Sequence, residues 1–332
     1  MQNSDGIIVV LSYPDTIVRP AYWEILSGFW SKIGIGSKHS VQAGHAALLL
    51  IKKNEPTIQY FDFGRYITTY GNGRVRSEKT DVELHVPLKA VFKENELYNL
   101  EEILLWIEKH PEKTHGEGRL IATVNNEINY NKAQSFITDF IAKKEIPYGT
   151  FLKNASNCAR FVTDTIITAT TNLKIKKSLK QSNYLTPSPI GNVIKATSTN
   201  KIYKVYQQKI TPYLNRSILK EYKATFFKKF NHELNVIGTE EPNISQFELD
   251  SATWLGGIGS GAWFHVEEQL DHTIFKIARY TPSGKKDFEG SFTVDKEGLD
   301  PEIPYSFDYP TNCLEMYIKQ NNTTYYLKNL KH

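Results

Sequence analysis

Gly44-His45-Ala46-Ala47-Leu48-Leu49-Leu50-Ile51, followed after the turn residues Lys52-Lys53-Asn54-Glu55-Pro56 by Ile58-Gln59-Tyr60-Phe61-Asp62-Phe63, is the stretch on which the fold is decided. The run from Ala46 to Ile51 is continuously apolar and bounded by turn residues, which favours a strand covered on both faces. Ile58 to Phe63 reads as its hairpin partner. If Ile51 and Ile58 flank the turn, Ala47 lies opposite Asp62. His45 and Asp62 then share a face as diagonal neighbours, with backbones about 7–8 Å apart. A slip of one residue would send Asp62 to the other face. A carboxylate between Phe61 and Phe63 is an odd setting unless it has a partner.

Upstream, Ile7 to Leu11 is a short β-branched run ended by Tyr13-Pro14-Asp15-Thr16, which is turn chemistry. Residues 20–32 place Trp23, Ile25, Leu26, Phe29 and Trp30 at helical spacing. Downstream, residues 64–80 are rich in Gly and Arg and read as a loop, and Val82 to Leu88 alternates like a strand. Leu97 to His110 is an amphipathic helix stopped by Pro111. Leu120 to Val124 reads as a strand, and Asn131 to Lys144 and Cys158 to Ala169 as helices. Past residue 170 the periodicity fades into a polar, Lys- and Tyr-rich stretch. From Trp254 onward, short alternating runs are separated by Gly- and Asn-containing turns, the pattern of a small antiparallel β domain. The reading is therefore α+β, with a first domain over 1–175, a connector with some helix over 176–245, and a small all-β domain over 246–332.

The chain has 332 residues and a net charge of +4. Nucleic-acid binders concentrate basic charge on one face, and a balance this mild does not point to them. Two cysteines cannot build a disulfide framework, and both are expected to be reduced. No run approaches the roughly 20 apolar residues of a membrane span, and the N-terminus has no basic leader, so a cytoplasmic protein is expected. Neither His-x-x-x-His nor Cys-x-x-Cys spacing occurs, so neither metal nor cofactor is expected.

Cys158 is the candidate nucleophile. It opens a helix behind Ser156-Asn157, where free N–H groups and the helix dipole favour an anion. Its own N–H is placed to bind an oxyanion. His45, at a strand mouth beside Gly44, is the candidate base, with Asp62 fixing its orientation. Tyr148, Asn157, Arg65 and Arg74 are candidates for binding substrate or oxyanion. Arg76 shares the glycine-rich segment. Taken one at a time, these residues also fit ordinary structural roles: a buried cysteine, a satisfied histidine, a strand-end aspartate and solvated arginines. His85, His110, His115, His232, His265 and His272 compete with His45.

Together the residues resemble a known superfamily. Pro147-Tyr148-Gly149 with Asn157-Cys158-Ala159-Arg160-Phe161-Val162 is similar to the tyrosine-glycine and cysteine-helix signature of NlpC-type peptidases, a papain-like group. Gly44-His45-Ala-Ala-Leu-Leu-Leu-Ile resembles their histidine strand. Here the histidine precedes the cysteine, as in the circularly permuted branch of amidase-like hydrolases and relatives of lecithin-retinol acyltransferase. The resemblance covers about residues 1–170. It implies a permuted papain-like domain in which Cys158, His45 and Asp62 form the site. Two features depart from the pattern: Ala159-Arg160 stands where the peptidases have Ser-Gly, and ninety-five residues (63–157) separate Asp62 from Cys158.

The expected function is a thiol hydrolase or acyltransferase acting through an acyl-enzyme on a small-molecule, peptide or lipid-type amide or ester. The alternative is an inactive papain-like module whose β domain recognises a ligand. An unpermuted pairing of Cys158 with His265 or His272 would need the polar connector inside one catalytic domain.

Overall fold

The computed structural model describes residues 4–21, 29–37, 39–152, 154–229 and 251–331. Its first sheet is built around β1 (Gly6–Tyr13) and β2 (His45–Lys52), whose residues are buried almost throughout. Because strand side chains alternate in direction, each strand feeds two cores. Ile8, Val10, Ala46, Leu48 and Leu50 join one core, and Ile7, Val9, Leu11, Ala47, Leu49 and Ile51 the other. Burying each such side chain contributes about 1.5–3 kcal/mol, so the central pair dominates the apolar driving force.

The remaining strands of this sheet are β3 (Ile58–Gly64), β4 (Asn72–Arg76), β7 (Leu120–Ile128), β8 (Ile146–Pro147), β9 (Ile202–Tyr206) and β10 (Lys209–Pro212); β5 (Phe92–Lys93) and β6 (Glu96–Leu97) form a separate small ribbon. The sheet order is β10-β9-β7-β1-β2-β3-β4-β8, antiparallel throughout. Helices α4 (Tyr130–Ala142), α5 (Cys158–Ala169), α6 (Leu173–Ser182) and α7 (Pro189–Ala196) contribute to the first core. Helix α2 (Leu100–Lys109) covers the opposite face through Ile103, Leu104 and Ile107. Short helices α1 (Phe29–Lys32), α3 (Pro111–Thr114) and α8 (Ile218–Ala224) complete the helical set of the described residues.

The β2–β3 register pairs Ile51 with Ile58 and Ala47 with Asp62. Three local expectations change. Residues 72–76, read as loop, form β4, because Arg74 and Arg76 point to one face and find carboxylates there. Val82–Leu84 is a single 3₁₀ turn rather than part of a strand. The polar stretch after residue 176 is not a detached connector: β9 pairs with β7, and α7 packs on β1 and β7. In β9, Ile202 and Val205 are buried and Tyr203 and Lys204 half-buried, as suits a strand covered at its edge by β10. Residues 22–28, most of the early helical stretch, and His232 lie outside the described residues.

The second sheet comprises β11 (Thr253–Gly256), β12 (Gly261–Gln269), β13 (Ile274–Tyr280), β14 (Lys286–Val294), β15 (Ser306–Asp308), β16 (Glu315–Gln320) and β17 (Thr323–Asn329), in the order β11-β12-β13-β14-β17-β16-β15. Its edges β11 and β15 approach one another, with Phe307 N donating to Thr253 Oγ1 at 3.1 Å, which nearly closes a barrel. Phe264, Phe275, Phe292, Met316, Ile318 and Leu327 fill its interior. The protein is thus mixed α+β, with a helix-flanked antiparallel sheet followed by a small β domain.

Candidate active site

His45 is the first residue of β2. Gly44 before it has φ +78°, and a Cβ there would come within 2.9 Å of the Tyr13 carbonyl oxygen, so the turn into the strand requires glycine. Tyr13 pairs with His45 across the strands, and the two rings stack at 6.3 Å. The His45 Nε2–H donates to Asp62 Oδ2 at 3.2 Å.

Asp62 is fully buried and surrounded by donors. Oδ2 also accepts from Tyr60 OH at 3.0 Å, Tyr66 OH at 2.8 Å and an Arg76 terminal nitrogen at 2.6 Å; Oδ1 accepts from Arg76 Nε at 3.0 Å. Burial alone would favour the neutral acid. The Arg76 charge and the hydrogen bonds from His45 and Arg76 prevail and hold Asp62 well below the usual carboxylate range. Arg76 is 1% exposed and lies 3.6 Å from the Tyr66 ring centre, so its charge is met by the carboxylate and the ring together.

Cys158 opens α5. Asn157 is the N-cap: its Oδ1 accepts from Arg160 N at 2.9 Å, and its Nδ2 donates to the Gly149 carbonyl at 3.3 Å. As the first helical residue, Cys158 has a backbone N–H with no acceptor inside the helix. The Cys158 and His45 side chains line the same cavity and interact electrostatically. Burial disfavours the imidazolium, but the hydrogen bonds to Asp62 and Cys158, with the attraction of both groups, outweigh it and raise His45 to about 9. Asp62 engages Nε2, which leaves Nδ1 as the ring nitrogen available for proton transfer.

The fold thus brings Cys158, His45 and Asp62 into one cluster. Tyr148 stacks on Phe63 at 5.9 Å and lies beneath the Arg65 guanidinium at 4.8 Å. Both residues line the space around Cys158. Arg65 also donates to the Arg19 and Pro20 carbonyls. Arg74 is placed elsewhere. It is buried in a two-pronged ion pair with Asp81, at 2.6 and 2.7 Å, and a substrate contact there is corrected to an internal one. Sequence reasoning missed Arg76, Tyr60 and Tyr66 as partners of Asp62. The signal was the carboxylate between two phenylalanines, which demands a nearby cation. Among the other histidines, His85 is exposed beside Glu78, His110 bonds the Trp106 carbonyl, His265 lies in β12 and His272 in the β12–β13 turn. Among these described histidines, His115 approaches the site. Its ring is 5.5 Å from Tyr66, and burial with the Arg76 charge lowers it to about 3, so it stays neutral.

Although Cys158 is only 9% exposed, it borders two cavities. One, of about 350 Å³, is walled by apolar residues including Val18, Val41, Phe151, Pro187, Phe226 and Phe227. The other, of about 400 Å³, carries His45, Arg65, Glu112, His115 and Glu117. Among the described residues, no helix is long and apolar enough to cross a membrane.

The mixed α+β chain thus places a thiol and an imidazole on one cavity, with a fully buried carboxylate bonded to the imidazole. The chain is a member of the type VI secretion system effector TseH-like family, whose model matches residues 8–175. A second family model, the DUF6695 C-terminal domain, matches residues 252–330. Among solved structures, the crystal structure of the type VI secretion system effector TseH aligns over 63% of this chain and 98% of its own, at 16% identity and a TM-score of 0.40. None of the curated proteins matches the chain.

Proposed function

We propose that the chain is a thiol-dependent hydrolase or acyltransferase of the effector type, with a permuted papain-like catalytic domain. The observation that carries this reading is His45, hydrogen-bonded to the buried Asp62 carboxylate and lining one cavity with the Cys158 thiol. The chain order of histidine strand, aspartate strand and cysteine helix supports the permuted arrangement.

In the proposed reaction, His45 takes the Cys158 proton and Sγ attacks the carbonyl carbon of an amide, ester or thioester. The oxyanion develops at the start of α5, where the Cys158 N–H can donate to it. The bond to the leaving group breaks, and His45 Nδ1–H delivers its proton to that group. Water or another acceptor then attacks the thioester, giving its proton to His45 and freeing Sγ. Asp62 orients the imidazole and stabilises its charged form. The apolar cavity suits the acyl part of the substrate, and the polar cavity the leaving group. As a member of an effector family, the protein would act in a recipient cell.

The test is alkylation of Cys158 by iodoacetamide across pH. A free thiol titrates near 8.5, so its rate falls about two-hundredfold between pH 9 and pH 6. The wild type should keep most of its rate at pH 6, and His45→Ala should lose it. Steep, superimposable profiles would exclude the reading.

A further inference from the structure

We propose that the β11–β12 turn of the C-terminal domain forms one wall of the active-site cleft, and that Ile258 is a specificity-determining residue on the leaving-group side. This rests on Cys158 being the reacting group.

Gly256 pairs with Gly261, and Gly257 N donates to the Ser260 carbonyl at 2.8 Å, so residues 256–260 form a tight turn. The turn is seated on the β3–β4 loop. Gly259 N donates to the Arg65 carbonyl at 2.5 Å, and a Cβ on Gly257 would lie 1.3 Å from the Tyr66 carbonyl oxygen. Only glycine permits that approach. Ile258 and Gly259 then line the polar cavity that also holds His45 and Cys158.

Two further contacts fix the domain in this position. Arg279 of β13 is buried. It is held by Asp287 of its own domain at 2.9 Å and reaches Glu83 at 2.5 Å and Asp81 at 3.7 Å. Cys313 N donates to the Thr80 carbonyl at 3.0 Å. The seated loop is the one that carries Tyr66, whose hydroxyl holds Asp62 and whose ring lies on Arg76. The second domain therefore shapes the cleft and braces a residue that positions the carboxylate. Ile258 offers an apolar surface in the cavity shared with Glu112 and His115, where its size sets the space left for the departing group.

The experiment compares full-length wild type, Ile258→Trp and Ile258→Ala in labelling Cys158 with iodoacetamide and with an iodoacetamide bearing a bulky aromatic amide. Peptide mass mapping separates Cys158 from the buried Cys313. Ile258→Trp should slow the bulky reagent about tenfold, the scale at which a pocket wall rejects an added group, and leave iodoacetamide nearly unchanged. Ile258→Ala should speed the bulky reagent. Equal bulky-reagent rates in all three proteins would overturn the proposal, as would equal slowing of both reagents in Ile258→Trp. Labelling reads access rather than turnover. A failure of the His45 test alone would therefore leave the wall intact while removing the catalytic reading.

Discussion

Replacing Asp62 by Asn removes one charge and little volume, and its consequences follow from the partners. Four donors converge on Oδ2 and one on Oδ1. An Asn at this position does least harm with its amide nitrogen at the Oδ1 place, where it meets only Arg76 Nε. Even so, the Arg76 guanidinium stays buried without a counter-ion. Removing one partner of a buried pair costs about 3–5 kcal/mol, a large share of the 5–15 kcal/mol that folds an ordinary domain. The chemical effect is separate. The His45 imidazolium loses its main anion, burial then favours the neutral ring, and alkylation of Cys158 at pH 6 should fall toward that of a free thiol. Urea unfolding measures the first effect and the pH 6 to pH 9 labelling ratio the second. Adding Arg76→Gln to Asp62→Asn should recover part of the stability, since no charge is left unpaired, but none of the pH 6 labelling. A stability loss below about 1 kcal/mol in Asp62→Asn, with a labelling profile like the wild type, would refute the reasoning.

Further outcomes are expected. His45 is raised from an ordinary 6.5 to about 9, so the folded state holds the extra proton between these values. Its contribution, about 3 kcal/mol, should be complete below pH 6.5 and disappear as pH rises through 9. Urea unfolding of His45→Gln should lack that decline. Arg74→Met should cost about 1–3 kcal/mol, because Asp81 loses its two-pronged partner but keeps Arg279 at 3.7 Å, and should leave the labelling profile of Cys158 unchanged. Asn157→Ala should cost about 1 kcal/mol through loss of the N-cap, read as a lower urea midpoint.

Local pattern made part of this arrangement legible. The apolar run of β2 and the short turn after it set the register, and the register placed His45 and Asp62 on one face. The N-cap before Cys158 marked the start of its helix. What stayed hidden depends on distant pairing. Strand β4 looked like a loop because its inward side chains are arginines, which read as exposed until Asp62 and Asp81 are known to face them. Strand β9 joins β7 across about eighty residues of chain, and nothing in Ile202–Tyr206 names that partner. The seating of Gly257 on Tyr66 involves backbone atoms alone, so composition carries no trace of it.

The central claim is that Cys158 becomes acylated. The direct measurement is intact-mass and peptide-mass analysis of the full chain after exposure to a panel of activated amides, esters and thioesters. A mass increase equal to the acyl group is expected, mapped to the peptide containing Cys158, lost in Cys158→Ala and strongly reduced in His45→Ala. No adduct with any acyl donor, or an adduct that persists in Cys158→Ala, would contradict it.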